Sequence, residues 1–151
     1  MGGNLTGQYW VPNNTFFNSD DRITTSGYVK TVTIRYQSKQ IPTTATRIWI
    51  YIIVSTSGGY LVCSQHLVPI SQITTNVIQM YTFDDNAINV HDGAYVGIGV
   101  LGTGSISGTY GGLCLNAQGA DQLASIKTCT TIYFKADVSK QGAHISYTIV
   151  A

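Results

Sequence analysis

RIWIYIIVSTSGGYLVCSQ, residues Arg47–Gln65, reads as two β-strands folded back on each other through Ser55–Gly59. Successive side chains of a strand point to opposite faces. Ile48, Ile50, Ile52 and Val54 therefore share one aliphatic face, and Arg47, Trp49, Tyr51 and Ile53 share the other. The first face is a core face. The second, with a guanidinium, an indole and a phenol in a row, is the expected place for function.

Working outward, the flanking segments keep the same period of two. Tyr28–Gln37 sets Val32, Ile34 and Tyr36 against Thr31, Thr33, Arg35 and Gln37, the pattern of a half-buried antiparallel strand. Asn76–Phe83 is a further strand, ended by Asp84-Asp85-Asn86. After the His91-Asp92-Gly93 turn, Ala94–Leu101 places Val96, Ile98 and Val100 inward, with Tyr95, Gly97 and Gly99 outward. Outward glycines leave a shallow space for another backbone or a ligand. Thr130–Ala136 and Ala143–Val150 close the chain as strands, and Gly112–Leu115 is a short extra one. The glycine-rich Gly102–Ala124 is a long loop, of a kind that is often functional. Residues 1–15 read as irregular apart from a short edge strand at Tyr9–Val11, and only Ala120–Ile126 suggests a helical turn. The expectation is a single all-β domain over residues 1–151, an antiparallel β-sandwich.

Composition narrows the function classes. The chain has 151 residues, of which 10% are charged, against the usual quarter or so. A net charge of +1 without a basic run argues against nucleic acid. The longest apolar run, Ile48–Val54, is too short to insert into a membrane as a helix. The opening MGGNLTGQ shows no signal-peptide pattern. Few charges with many hydroxyls, Gly and Tyr point to a secreted or cell-surface protein. Of the three cysteines, Cys63 reads as a buried inert thiol, while Cys114 and Cys129 are either free or bridged.

Catalytic constellations are missing. No GxSxG elbow, HExxH, CxxC pair or Walker lysine occurs, and His66, His91 and His144 lie on separate segments without metal-ligand spacing. An enzyme is therefore not expected. The chain has seven Asp and no Glu. Asp84, Asp85 and Asn86 supply hard oxygens suited to Ca2+, although Asp and Asn are also ordinary turn residues. The outward aromatics remain. Trp and Tyr stack on the apolar faces of sugars, and Arg donates paired hydrogen bonds. Arg35, Arg47, Trp49, Tyr51 and Tyr95 form the first candidate ligand face, and Tyr110 in the glycine-rich loop adds a second region. The same residue types suit a subunit interface, so a homo-oligomer is the competing reading.

Two strings carry a family resemblance. Gly27-Tyr28-Val29…Val32-Thr33-Ile34, Ile48-Trp49-Ile50-Tyr51-Ile52 and Gly59-Tyr60-Leu61-Val62 resemble the opening of extracellular jelly-roll modules. Val90-His91-Asp92-Gly93-Ala94-Tyr95-Val96-Gly97-Ile98 resembles their later strand entry. Carbohydrate-binding modules, lectin-like sandwiches and the trimeric jelly rolls of the tumour-necrosis-factor and complement-collectin type carry comparable strings. The resemblance implies a jelly-roll sandwich that binds a carbohydrate or glycoprotein without catalysis, or alternatively a jelly roll that assembles into a trimeric head or capsid-like array. It implies no particular site residues.

Overall fold

The computed structural model describes residues 4–10, 14–57, 59–109, 114–118, 130–132, 135–136 and 143–151, and side chains over 15, 17–57, 59–107 and 143–151. The strands among the described residues are β1 (Asn4–Trp10), β2 (Asn14–Asn18), β3 (Gly27–Arg35), β4 (Arg47–Thr56), β5 (Gly59–Leu67), β6 (Ile78–Thr82), β7 (Asn89–Val90), β8 (Ala94–Leu101), β9 (Ile106–Thr109), β10 (Cys114–Gln118), β11 (Thr130–Ile132), β12 (Lys135–Ala136) and β13 (Ile145–Val150). A single 3-10 turn, Ile70–Gln72, is the only helical piece among the described residues. All strand pairs are antiparallel.

The β4–β5 hairpin is the centre, as its alternation predicts. It closes at Thr56↔Gly59, a tighter turn than Ser55–Gly59, with Gly59 at φ 140°. Thr56 Oγ1 donates to Gly59 O at 3.1 Å. Around it runs a seven-stranded sheet in the order β11-β5-β4-β8-β2-β10-β12, and a second sheet in the order β13-β3-β6, with β7 also on β3, stacks against it. Ile48, Ile50, Ile52, Val96, Ile98 and Val100 of the large sheet meet Val29, Val32, Ile34 and Tyr81 of the small one, all but fully buried. Each such side chain stabilises the fold by about 1.5–3 kcal/mol through burial. The architecture is all-β, its two larger sheets compatible with a β-sandwich and a two-stranded sheet, β1-β9, beside them. Gly27 is required where β3 meets the end of β13, because a Cβ there would lie 2.0 Å from the Val150 carbonyl oxygen.

The large sheet cannot be flat. Its two ends, β11 and β12, are separated in sequence only by residues 133 and 134. The Cα atoms of Ile132 and Lys135 are thus within about 11 Å of each other, whereas opposite edges of a flat seven-stranded sheet lie about 29 Å apart. A ring contact gives the same result independently. Phe17 on β2 and Tyr60 on β5 are three strand spacings apart, about 14 Å in a flat sheet, yet their ring centroids are 5.1 Å apart. The sheet therefore rolls, convex towards the small sheet and concave on the far side. Phe17, Tyr51, Ile53 and Val62 are buried on the concave side as a second core.

Several sequence expectations change. Within residues 1–15, the described residues 4–10 and 14–15 are strand, not irregular: β1 pairs with β9, and β2 lies between β8 and β10 in the large sheet. Their side chains do not alternate simply, so the hydrogen-bonded role is invisible in the pattern. Cys63 is exposed, not buried. The register slips between Ile52↔Ser64 and Ile53↔Val62, so Cys63 is the extra residue of a β-bulge and turns outward. Gly97 and Gly99 are buried. The expected strand at Gly112–Leu115 overlaps β10 (Cys114–Gln118) in its last two residues, its first two and the suggested turn at 120–126 lying outside the described residues.

Candidate functional site

The concave face is built by register. β4 sets Trp49 opposite Gly99 and Tyr51 opposite Gly97, and β2 sets Thr15 against the far side of Gly99. β8 carries no side chains at these points, and Gly97 and Gly99 are buried in the same sheet as the aromatic cluster of β2, β4, β5 and β8. Phe17 lies 4.9 Å from Tyr95, and Tyr60 lies 6.4 Å from Tyr95 edge to face, as ring quadrupoles prefer. Phe17, Tyr51, Ile53 and Val62 form a fully buried floor, and Trp49, Tyr60 and Tyr95 pack on it half-buried. The shallow space expected above Gly97 and Gly99 is thus filled by the protein's own rings.

Two polar atoms in this cluster stand out. Trp49 Nε1 and Tyr51 OH are both inaccessible to solvent, and neither has a hydrogen-bond partner among the described residues. Most buried polar side-chain atoms in folded proteins are paired, so two orphans two residues apart on one strand face call for an explanation. Burial pushes the Tyr51 hydroxyl well above its ordinary range. The buried Thr15 hydroxyl draws it back in part, being close enough to act on it but outside hydrogen-bond geometry. Tyr51 stays protonated and remains a donor. Burial also raises the Tyr60 hydroxyl, followed by the neighbouring Tyr95.

The expected ligand face is therefore redistributed. Tyr51 is wholly buried and is no stacking platform. Trp49 and Tyr95 lie beside it as rim residues. Arg47, at the start of β4, spends its guanidinium on the carbonyls of Thr46 at 3.1 Å and Thr44 at 3.3 Å. Arg35 belongs to the other sheet, near His144, whose imidazole is held low by burial and then by the Arg35 charge. Tyr110 lies outside the described residues. Phe17, Tyr60 and Thr15 were not anticipated. The bulge at Cys63 switches parity along β5, so Tyr60 and Leu67, of opposite parity in sequence, both pair on the Trp49 face, and Phe16-Phe17 precedes a turn with no visible alternation.

Asp84, Asp85 and Asn86 do sit together in a turn, where Asn86 takes φ 61° and Ala87 N donates to Asp84 O. Asp85 is engaged by Lys30 Nζ at 2.8 Å. That hydrogen bond and charge, with the Tyr28 hydroxyl, hold its carboxyl below the usual range. Among the described residues no three His, Cys, Asp or Glu side chains cluster as metal ligands. A hydroxyl–imidazole pair occurs on β5, with Ser64 Oγ 3.0 Å from His66 Nε2. The cross-strand partners of these two residues, Ile52 and Ile50, offer no carboxylate to orient the ring. No described helix is long and apolar enough to cross a membrane.

Comparison with known proteins adds no identity: no family model, curated protein or solved structure matches the chain.

Proposed function

We infer that the protein is a non-catalytic, extracellular binding module of jelly-roll type that takes a small neutral ring, a sugar in the first instance, at the Trp49–Tyr60–Tyr95 rim of its rolled sheet. The observation that carries this reading is the pair of buried, unpartnered donors, Trp49 Nε1 and Tyr51 OH. Both lie beneath the rim and are reached only when the Trp49, Tyr60 and Tyr95 rings part; each then offers a proton, so the complementary ligand group is an oxygen with free lone pairs: a hydroxyl, ether or carbonyl. The half-buried rings around them supply the apolar faces on which a sugar or similar ring packs. The jelly-roll assignment draws support from successive strands crossing between the sheets: β3 to β4, β5 to β6 and β7 to β8. Surface display follows from the ligand class and the sparse charge.

Titration calorimetry against a panel of neutral mono- and oligosaccharides tests the reading, with Tyr60→Ala and Tyr51→Phe as paired variants. Binding by the native chain, lost in Tyr60→Ala and weakened about 2–10-fold in Tyr51→Phe by one missing hydrogen bond, supports it. Equal binding by all three, or none to any neutral ring, overturns it.

A further inference from the structure

Among the described residues the small sheet has two edges, β13 and β6, and the backbone geometry of β6 specifies a partner. Tyr36 N donates to Val77 O at 2.8 Å and Phe83 N to Lys30 O at 3.0 Å. Alternation then turns the backbone groups of residues 77, 79, 81 and 83 towards β3, and those of Ile78, Met80 and Thr82 outward. Thr82 is already capped. Its N–H donates to Gln72 Oε1 at 2.7 Å, and Gln72 Nε2 donates to its carbonyl at 2.8 Å, so one side-chain amide does what a neighbouring strand would do. Ile78 and Met80 have no such cap among the described residues. They are also the most exposed large apolar side chains, at 54% and 61%.

We propose that β6 pairs with β6 of a second copy of this chain, antiparallel about a two-fold axis at Gln79, extending the small sheet across the dimer. This register uses the two uncapped residues and no others. Ile78 exchanges both backbone hydrogen bonds with Met80 of the partner, and Met80 with the partner's Ile78. The side chains of each pair lie on one face as apolar cross-strand neighbours. Any strand offers hydrogen bonds, but an identical β6 matches both the length of the uncapped stretch and its apolar spacing. Charge does not oppose it: Ile78–Thr82 contains no ionisable group except the buried Tyr81. The nearest like charges across the axis, Arg35 and its copy beyond Ile78, are three strand spacings apart, about 14 Å, outside the screening length of about 8–10 Å. The contact is small, so the dimer is a weak one, with a dissociation constant on the order of 0.1–1 mM.

Sedimentation velocity of the full chain over a concentration series tests this, alongside two double variants at exposed positions. Ile78→Lys with Met80→Lys sets Lys against Lys in both cross-strand pairs, whereas Ile78→Glu with Met80→Lys sets Glu against Lys. Concentration-dependent dimers in the native chain, weakened at least about 10-fold in the Lys/Lys variant and restored in the Glu/Lys variant, are expected. A native chain monomeric throughout overturns the proposal, as does a dimer that both variants form equally. Circular dichroism confirms that each variant is folded. Because none of these residues touches the aromatic cluster, the outcome does not depend on whether a sugar binds.

Discussion

Replacing Tyr51 by Phe should make the ligand-free protein more stable. A hydroxyl that is fully buried and unpaired carries a desolvation cost of about 1–3 kcal/mol, and Tyr51 OH is such a group. Phenylalanine keeps the ring between Gly97, Phe17 and Trp49 and removes only the oxygen. The vacated space is smaller than a methylene, and the loose approach of Thr15 offsets part of the native cost. The net gain is therefore at the low end, about 1 kcal/mol. For a chain of 151 residues this raises the melting temperature by about 2–4 °C. Differential scanning calorimetry at neutral pH without ligand reads it directly. A fall in melting temperature of that size would show that the hydroxyl has a partner, and the site would lose one of its two donors.

The same substitution at Tyr81 should act in the opposite direction. Its hydroxyl donates to Gln79 Oε1 at 2.8 Å and lies 2.9 Å from the Tyr36 hydroxyl, inside a buried chain that continues through Gln79 Nε2 to the Thr74 and Asn76 carbonyls. Tyr81→Phe strands the buried Tyr36 hydroxyl and leaves Gln79 Oε1 only its bond from Thr74 N, and should cost about 1–3 kcal/mol by urea denaturation. Alkali should unfold the protein early. The Tyr36, Tyr51 and Tyr81 hydroxyls are raised by burial and Tyr147 is pushed up to about 12, by burial and then by Asp21. Folded values above the unfolded value of about 10 mean that stability is full below pH about 10 and falls as pH rises towards the folded values. A melting temperature that is flat from neutral pH to pH about 11.5 would contradict this. Calcium should leave the melting temperature unchanged, because Lys30 occupies the Asp85 carboxylate, while Lys30→Ala should free the turn to respond. A rise on adding calcium to the native chain would show that the cation displaces the lysine.

Much of the fold was legible because the strands of the sandwich interior alternate strictly. The even-numbered isoleucines of β4 and the even-numbered residues of β8 form the core that their spacing implies. What alternation cannot show is whether the other face meets water. The odd face of β4 looked like an outer surface because a sheet has two sides and one core suffices for a sandwich. Here the sheet rolls, and the second side becomes an interior. The clue was present in Gly97 and Gly99: glycines in the middle of a strand mark close approach, and the approaching groups are Trp49 and Tyr51 of the same chain. Cys63 was misplaced, and Tyr60 was missed, because of a single-residue bulge, which leaves no mark in a pattern of period two. Arg35 was grouped with Arg47 because both occupy the polar parity of their strands, but parity does not say which sheet a strand joins.

The indole N–H resonance of Trp49, assigned in a 15N-labelled protein and followed through hydrogen exchange and ligand titration, reports on this interior most directly. In the free protein it should be protected from exchange and lie at a shift characteristic of an unbonded indole, then move downfield when it donates a hydrogen bond to an oxygen of a neutral sugar. Rapid exchange with water, or a resonance already shifted by a hydrogen bond and indifferent to every ligand added, would contradict an enclosed aromatic face with an unpaired donor.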